Sequence, residues 1–110
     1  MARISAYRLL AIVTLIVAKT SFAAGSAEAP FLTESDRAMK TMMATMAITP
    51  SGDVDADFVA MMVPHHQGAI DMALAEVRHG RNERLRRIAH EIIVTQQQEI
   101  EAMRLAVGQK

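Results

Sequence analysis

The sequence predicts an all-α fold, and three observations carry that expectation. No stretch alternates apolar and polar residues as a half-buried strand would. Apolar residues instead recur at helical spacing over long runs. Turn signals divide those runs, with Thr49-Pro50-Ser51-Gly52 the strongest and Gly80 and Gly108 marking further ends. At 110 residues the chain is too short for more than one ordinary domain.

Taken in order, the first segment reads as an export signal. Arg3 and Arg8 precede an apolar run from Leu9 to Ala18, and small residues follow at Ser21, Ala23, Ala24 and Gly25. The run is shorter than the ~20 residues of a membrane span, and Lys19 interrupts it, against an uncleaved anchor. Residues 1–23 are therefore expected to be a signal peptide, with cleavage after Ala23 or, alternatively, Ala24. Residues 24–32 are expected to be a flexible leader and 33–108 a helical domain. Its helices are expected at about 34–47, 53–79 and 82–107. Thr33 and Asp36 have capping-box spacing for the first. The second opens on Asp53, Asp55 and Asp57 and closes on Arg78-His79-Gly80, charges that suit its dipole. Asn82 caps the third.

Composition narrows the function. With no Cys there is no disulfide framework, no Cys zinc site, no thiol nucleophile and no lipid-modified Cys. Twelve basic residues balance 12 acidic ones, without the basic footprint of a nucleic-acid binder. Cleavage takes away Arg3, Arg8 and Lys19, so the mature chain is mildly acidic, with Phe31 and Phe58 its only aromatic rings. A small exported domain without disulfides often needs a metal or a partner subunit. Nine Met are the unusual feature, and eight of them follow the signal.

Helical wheels place those eight. In the first helix Met39, Met42, Met43 and Met46 fall within about 100° of one another. The second helix is apolar on two faces. Val59, Val63, Ile70, Leu74 and Val77 form one; Phe58, Met61, Met62, His65, Ala69 and Met72 form the other. Such a helix belongs in the middle of a bundle. The third presents a stripe running from Leu85 to Val107, with Gln96 and Glu99 inside it, where burial without a partner would be costly.

His65 stands between Met61 and Met72 within about 40° on the wheel, and His66 follows Met62 by four residues. Thioether sulfur is soft and imidazole borderline, a donor pair suited to Cu(I) with two to four ligands. The Met of the first helix offer more sulfur, or a second loading site. Glu99 is placed to accept a hydrogen bond from an imidazole, or else to pair with an Arg. A Met stripe at helical spacing also serves as core filler. His79 and His90 read as surface residues, and Arg84, Arg86 and Arg87 as a solvated face, one of them within reach of Asp71. Asp53-Val-Asp55-Ala-Asp57 is not a calcium loop, because Phe58 and Pro64 stand where Gly and Glu are required. His65-His66-Gln67 is not a zinc-protease helix either, lacking its spacing. Pro64 removes one hydrogen bond beside the His pair.

The run from Gly52 to Ala73, with Met61-Met62-Val-Pro64-His65-His66-Gln67-Gly68, resembles the secreted bacterial family called domain of unknown function 305. The run from Leu85 to Met103, with Gln96-Gln-Gln-Glu99-Ile100-Glu-Ala-Met103, is similar to its later helix. The resemblance implies a ferritin-like helical bundle, and some members of the family bind copper in the periplasm. It also implies ligands at Met61, Met62, His65, His66, Met72 and Met103, supported by Asp71, Gln96 and Glu99. Larger members carry two hairpins where this chain has one. Either the Met-rich helix or a second copy would then complete the bundle. The expectation is a periplasmic or secreted copper binder, free of the membrane after cleavage, that sequesters the metal for tolerance or passes it to a protein partner. The alternatives are a ferritin-like metal-dependent oxidoreductase and a metal-free helical interaction module.

Overall fold

A computed structural model describes residues 25–109, and the expected signal peptide lies outside them. Three helices follow one another: α1 (Gly25–Met46), α2 (Val54–His79) and α3 (Glu83–Ala106). Among the described residues there is no strand, and no helix is long and apolar enough to cross a membrane.

The two later starts lie within one residue of the expected ones. The Asp53 carboxylate accepts from the backbone N–H groups of Asp55 and Ala56, at 3.0 and 3.2 Å. The Asp57 carboxylate reaches back to the Ser51 N–H at 3.1 Å. Gly52, at φ +88°, takes the left-handed conformation that this turn requires. The Asn82 side chain caps α3 on the Arg84 and Leu85 N–H groups at 2.9 and 3.1 Å. α2 continues through Pro64.

The first helix differs. Residues expected to form a flexible leader are helical from Gly25, through Pro30. The Thr33 hydroxyl donates to the Ala29 carbonyl at 2.9 Å instead of capping, and Asp36 pairs with Lys40 one turn on at 2.6 Å. The reason is tertiary. Phe31 is half-buried and lines a groove with Met72, Ala73 and Ile88, so packing carries the helix past a local stop signal.

α1 and α3 pack on different sides of α2 and make no backbone contact with each other. The arrangement is a three-helix layer with α2 in the middle, as expected, but not through both expected faces. α1 packs on Gly68 and Ala75, the Phe58, Met61 and Met72 face is left exposed, and α1 does not close the layer into a four-helix bundle. The layer's seams are built from small residues. Ala38 and Met42 of α1 meet the Gly68 and Ala75 side of α2, while Ala73 meets Ala89 of α3, and Val59, Ile70 and Ile100 are buried with them. Ala75 is completely sealed, and no large side chain among the described residues is.

Two polar contacts set the registers. Glu34 of α1 accepts from Arg78 Nη1 at 2.7 Å and lies 2.9 Å from His79 Nε2. His79, expected at the surface, is therefore a half-buried bridge to α1. With Met42 against Gly68, this contact shows that α1 and α2 run antiparallel. Across the other seam His66 bonds Glu99, so α2 and α3 are antiparallel as well.

Two measurements follow from α1 docking. A Cβ at Gly68 would stand 2.8 Å from Met42 Sδ and 3.0 Å from Met42 Cβ. Gly68→Ala gains about 1 kcal/mol of helix propensity but overpacks the seam by about 1–3 kcal/mol. A net fall in melting temperature is expected. Hydrogen bonds from His79 and Arg78 hold the Glu34 carboxyl below its ordinary range. Its ionised form therefore favours the folded state above the ordinary glutamate pKa, and that contribution is lost as pH falls through the lowered value. Glu34→Gln should remove part of the acid limb in a plot of stability against pH.

Candidate metal centre

The layer has two unlike sides. On one, Glu34, Arg37, Thr41, Asp71 and Arg78 line a polar recess. On the other, Phe31, Met72, Ala73, Leu85, Ile88 and Ile92 line a groove of about 400 Å³ whose single charged wall residue is Glu76. Stepping each helix at 100° per residue from these lining residues puts the remaining large apolar side chains on the groove side. Leu32, Met39 and Met43 stand there on α1, and Phe58, Met61 and Met72 on α2. All six are exposed, Met43 by 66% and Phe58 by 52%. Leu85, Ile88 and Ile92 of α3 continue the same surface, also exposed.

The soft donors gather on that side, along both seams. Met42 against Gly68 fixes the register of α1 on α2. Counting outward in opposite directions sets Met46 level with Pro64 and His65, and Met39 level with Asp71 and Met72. Met61, His65 and Met72 are themselves exposed, in one stripe down α2. Along the other seam, the level set by His66 and Glu99 puts Met62 beside Met103, one turn away, both half-buried. Gln96, also half-buried, lies one turn before Glu99 on α3.

The two adjacent imidazoles have different jobs. His66 is buried, and its Nδ1 donates to the Met62 carbonyl at 2.8 Å, since a carbonyl can only accept. Its Nε2 lies 2.6 Å from Glu99 Oε2, with a proton between them. Both nitrogens are thus engaged, and His66 is a clasp between α2 and α3. Glu99 does meet an imidazole, as its place in the stripe suggested, and does not pair with an Arg. His65 is exposed, its ring 6.0 Å from that of His66 at 61°, and it takes no hydrogen-bond partner among the described residues. It is the imidazole with both nitrogens open.

Other expected site residues fall elsewhere. Asp71 accepts from Gln67 Nε2 at 3.0 Å and lines the polar side, where Met42 is the one thioether near it, and among the described residues it forms no ion pair with an Arg of α3. His90 is exposed, as expected. Among the described residues no three His, Cys, Asp or Glu side chains gather as a metal-holding group. The Glu34–His79 bridge escaped the sequence reading because no local spacing pairs residues 45 apart.

The family described as Domain of unknown function (DUF305) matches residues 12–107. No curated protein and no solved structure matches the chain.

The clasp can be tested apart from any metal. Glu99→Ala leaves the buried His66 Nε2 without its partner, at a cost of about 1–3 kcal/mol. Urea unfolding should show that loss at neutral pH, while Glu101→Ala, exposed on the same helix, should leave the midpoint unchanged.

Proposed function

We propose that this chain, which belongs to the DUF305 family, is an exported copper-binding protein that holds Cu(I) through Met sulfur and His nitrogen. Its role is to sequester the ion or pass it to a protein partner. One observation carries the reading: the open imidazole of His65 stands in an exposed stripe of thioethers, Met61 and Met72, with Met39 and Met46 level with it on α1.

The donor chemistry fits that ion. Thioether and imidazole favour Cu(I) over zinc, which would call for Cys or carboxylate, and over calcium, which would call for oxygen. The Glu99 carboxylate is already bonded to His66. Met also binds copper in an oxidising compartment where Cys would be consumed in disulfides. Residues one helical turn apart, such as Met61 and His65, present their donors to one point above the helix. Surrounding Met of similar softness would let the ion leave by ligand exchange, each new Cu–S contact forming as an old one opens. The exposed apolar surface favours a second reading, a metal-free interaction module docking through the same face.

Titration of the purified protein with Cu(I) against a competing chelator separates the two readings. The parent should bind, and His65→Ala or Met61→Ala should weaken binding at least tenfold, about 1.4 kcal/mol or more. His90→Ala, on the exposed side of α3, should not. Equal affinity across parent and His65→Ala would remove His65 from the site.

A further inference from the structure

The donor stripe is too long for one ion. Met61 and Met72 are eleven residues apart on one straight run, about 16 Å, so a single chain brings Met61 and His65 to a point but leaves Met72 out of reach. The two Met are also placed symmetrically. α2 runs from Val54 to His79, its midpoint falls between His66 and Gln67, and Met61 and Met72 are equally distant from it.

Resting on the copper reading above, we propose that two copies of the chain pack groove side to groove side about a two-fold axis that lies between them, level with that midpoint, and that each copper site is completed by Met72 of the partner subunit. In this arrangement the two central helices cross antiparallel. Met61 comes level with the partner subunit's Met72, and His65 lies one turn further along. Helical side chains lean toward their own N-terminus, so His65 leans toward Met61 while the partner's Met72 leans toward His65. The three donors converge, and symmetry builds the site twice.

Two further observations select a second copy as the occupant of this face. Its exposed apolar side chains on α1, α2 and α3 amount to something on the order of 900 Å², against the ~800 Å² per partner of a standard interface. From Phe58 to Met72 the groove side of α2 carries no charged residue, so the two central helices meet without like charges opposed. A two-fold contact of this kind closes on itself, whereas a head-to-tail one would polymerise.

Complementation between two defective chains is the decisive experiment. His65→Ala and Met72→Ala, each checked for parental helicity by circular dichroism, should each bind Cu(I) at least tenfold more weakly than the parent. In a heterodimer of the two, one site loses both donors and the other is intact. Mixing them 1:1 with subunit exchange should therefore restore about one quarter of the parental tight sites, as random pairing of a two-fold dimer requires. Native mass spectrometry should show a dimer holding two ions in the parent and one in the mixed pair. A parent that binds copper as a monomer, or a mixture that recovers nothing, overturns the shared site and leaves the copper reading standing. A parent that binds no Cu(I) overturns both. Ile88→Glu adds a readout without metal: sedimentation should show dimer for the parent and monomer for the variant.

Discussion

The constraint on which this structure depends is that α2 is held between two helices whose backbones make no contact with each other. Each of its neighbours covers one seam, so the chain forms a layer in place of a closed bundle. A layer has two broad sides. One of them carries Glu34, Arg37, Asp71 and Arg78 and is at ease in water. The other carries the thioethers, Phe58 and the aliphatic stripe of α3, and no part of the described chain folds over it. The proposed chemistry and the proposed partner both come from that exposed side.

Small residues make the layer possible. Ala38, Gly68, Ala73, Ala75 and Ala89 let the helices approach closely, and the buried core consists of these with Val59, Ile70 and Ile100. Burial of that kind contributes little per residue, since the hydrophobic effect scales with apolar area removed from water. Polar clasps accordingly weigh more here than in a larger core. His66 with Glu99 ties one seam, and Glu34 with His79 and Arg78 ties the other. The clasp residues and the open donor alternate along α2, so that His66 can anchor the helix while its neighbour His65 remains free.

Much of the fold was legible because it is written locally. The Asp53 and Asn82 caps and the Gly52 turn are short-range signals, and the helices start where they said. The two apolar faces of α2 announced a middle position, and α2 takes it, but α1 docks on the small residues Gly68 and Ala75 and the Met and His face stays open. What failed was non-local. Thr33 and Asp36 read as a boundary, but Phe31 packs against α2 and carries α1 back to Gly25. His79 read as surface because its partner lies 45 residues away. For the site, the wheel grouped Met61, His65 and Met72 on one face, which the structure leaves exposed, and it placed Glu99 where an imidazole would need it. It had no means of telling which of two adjacent His would be the anchored one. That depended on which way α3 packed.

Since α1 and α3 make no backbone contact, the tertiary structure is a relay in which each seam joins helices adjacent along the chain. The contact order is accordingly low, and no long loop has to close before its contacts form. The α1–α2 hairpin carries its own Glu34 clasp and its own Met42–Gly68 seam, so it can assemble while α3 is still unstructured. A chain emerging N-terminus first would therefore have most of its donor stripe in place before its last helix arrives.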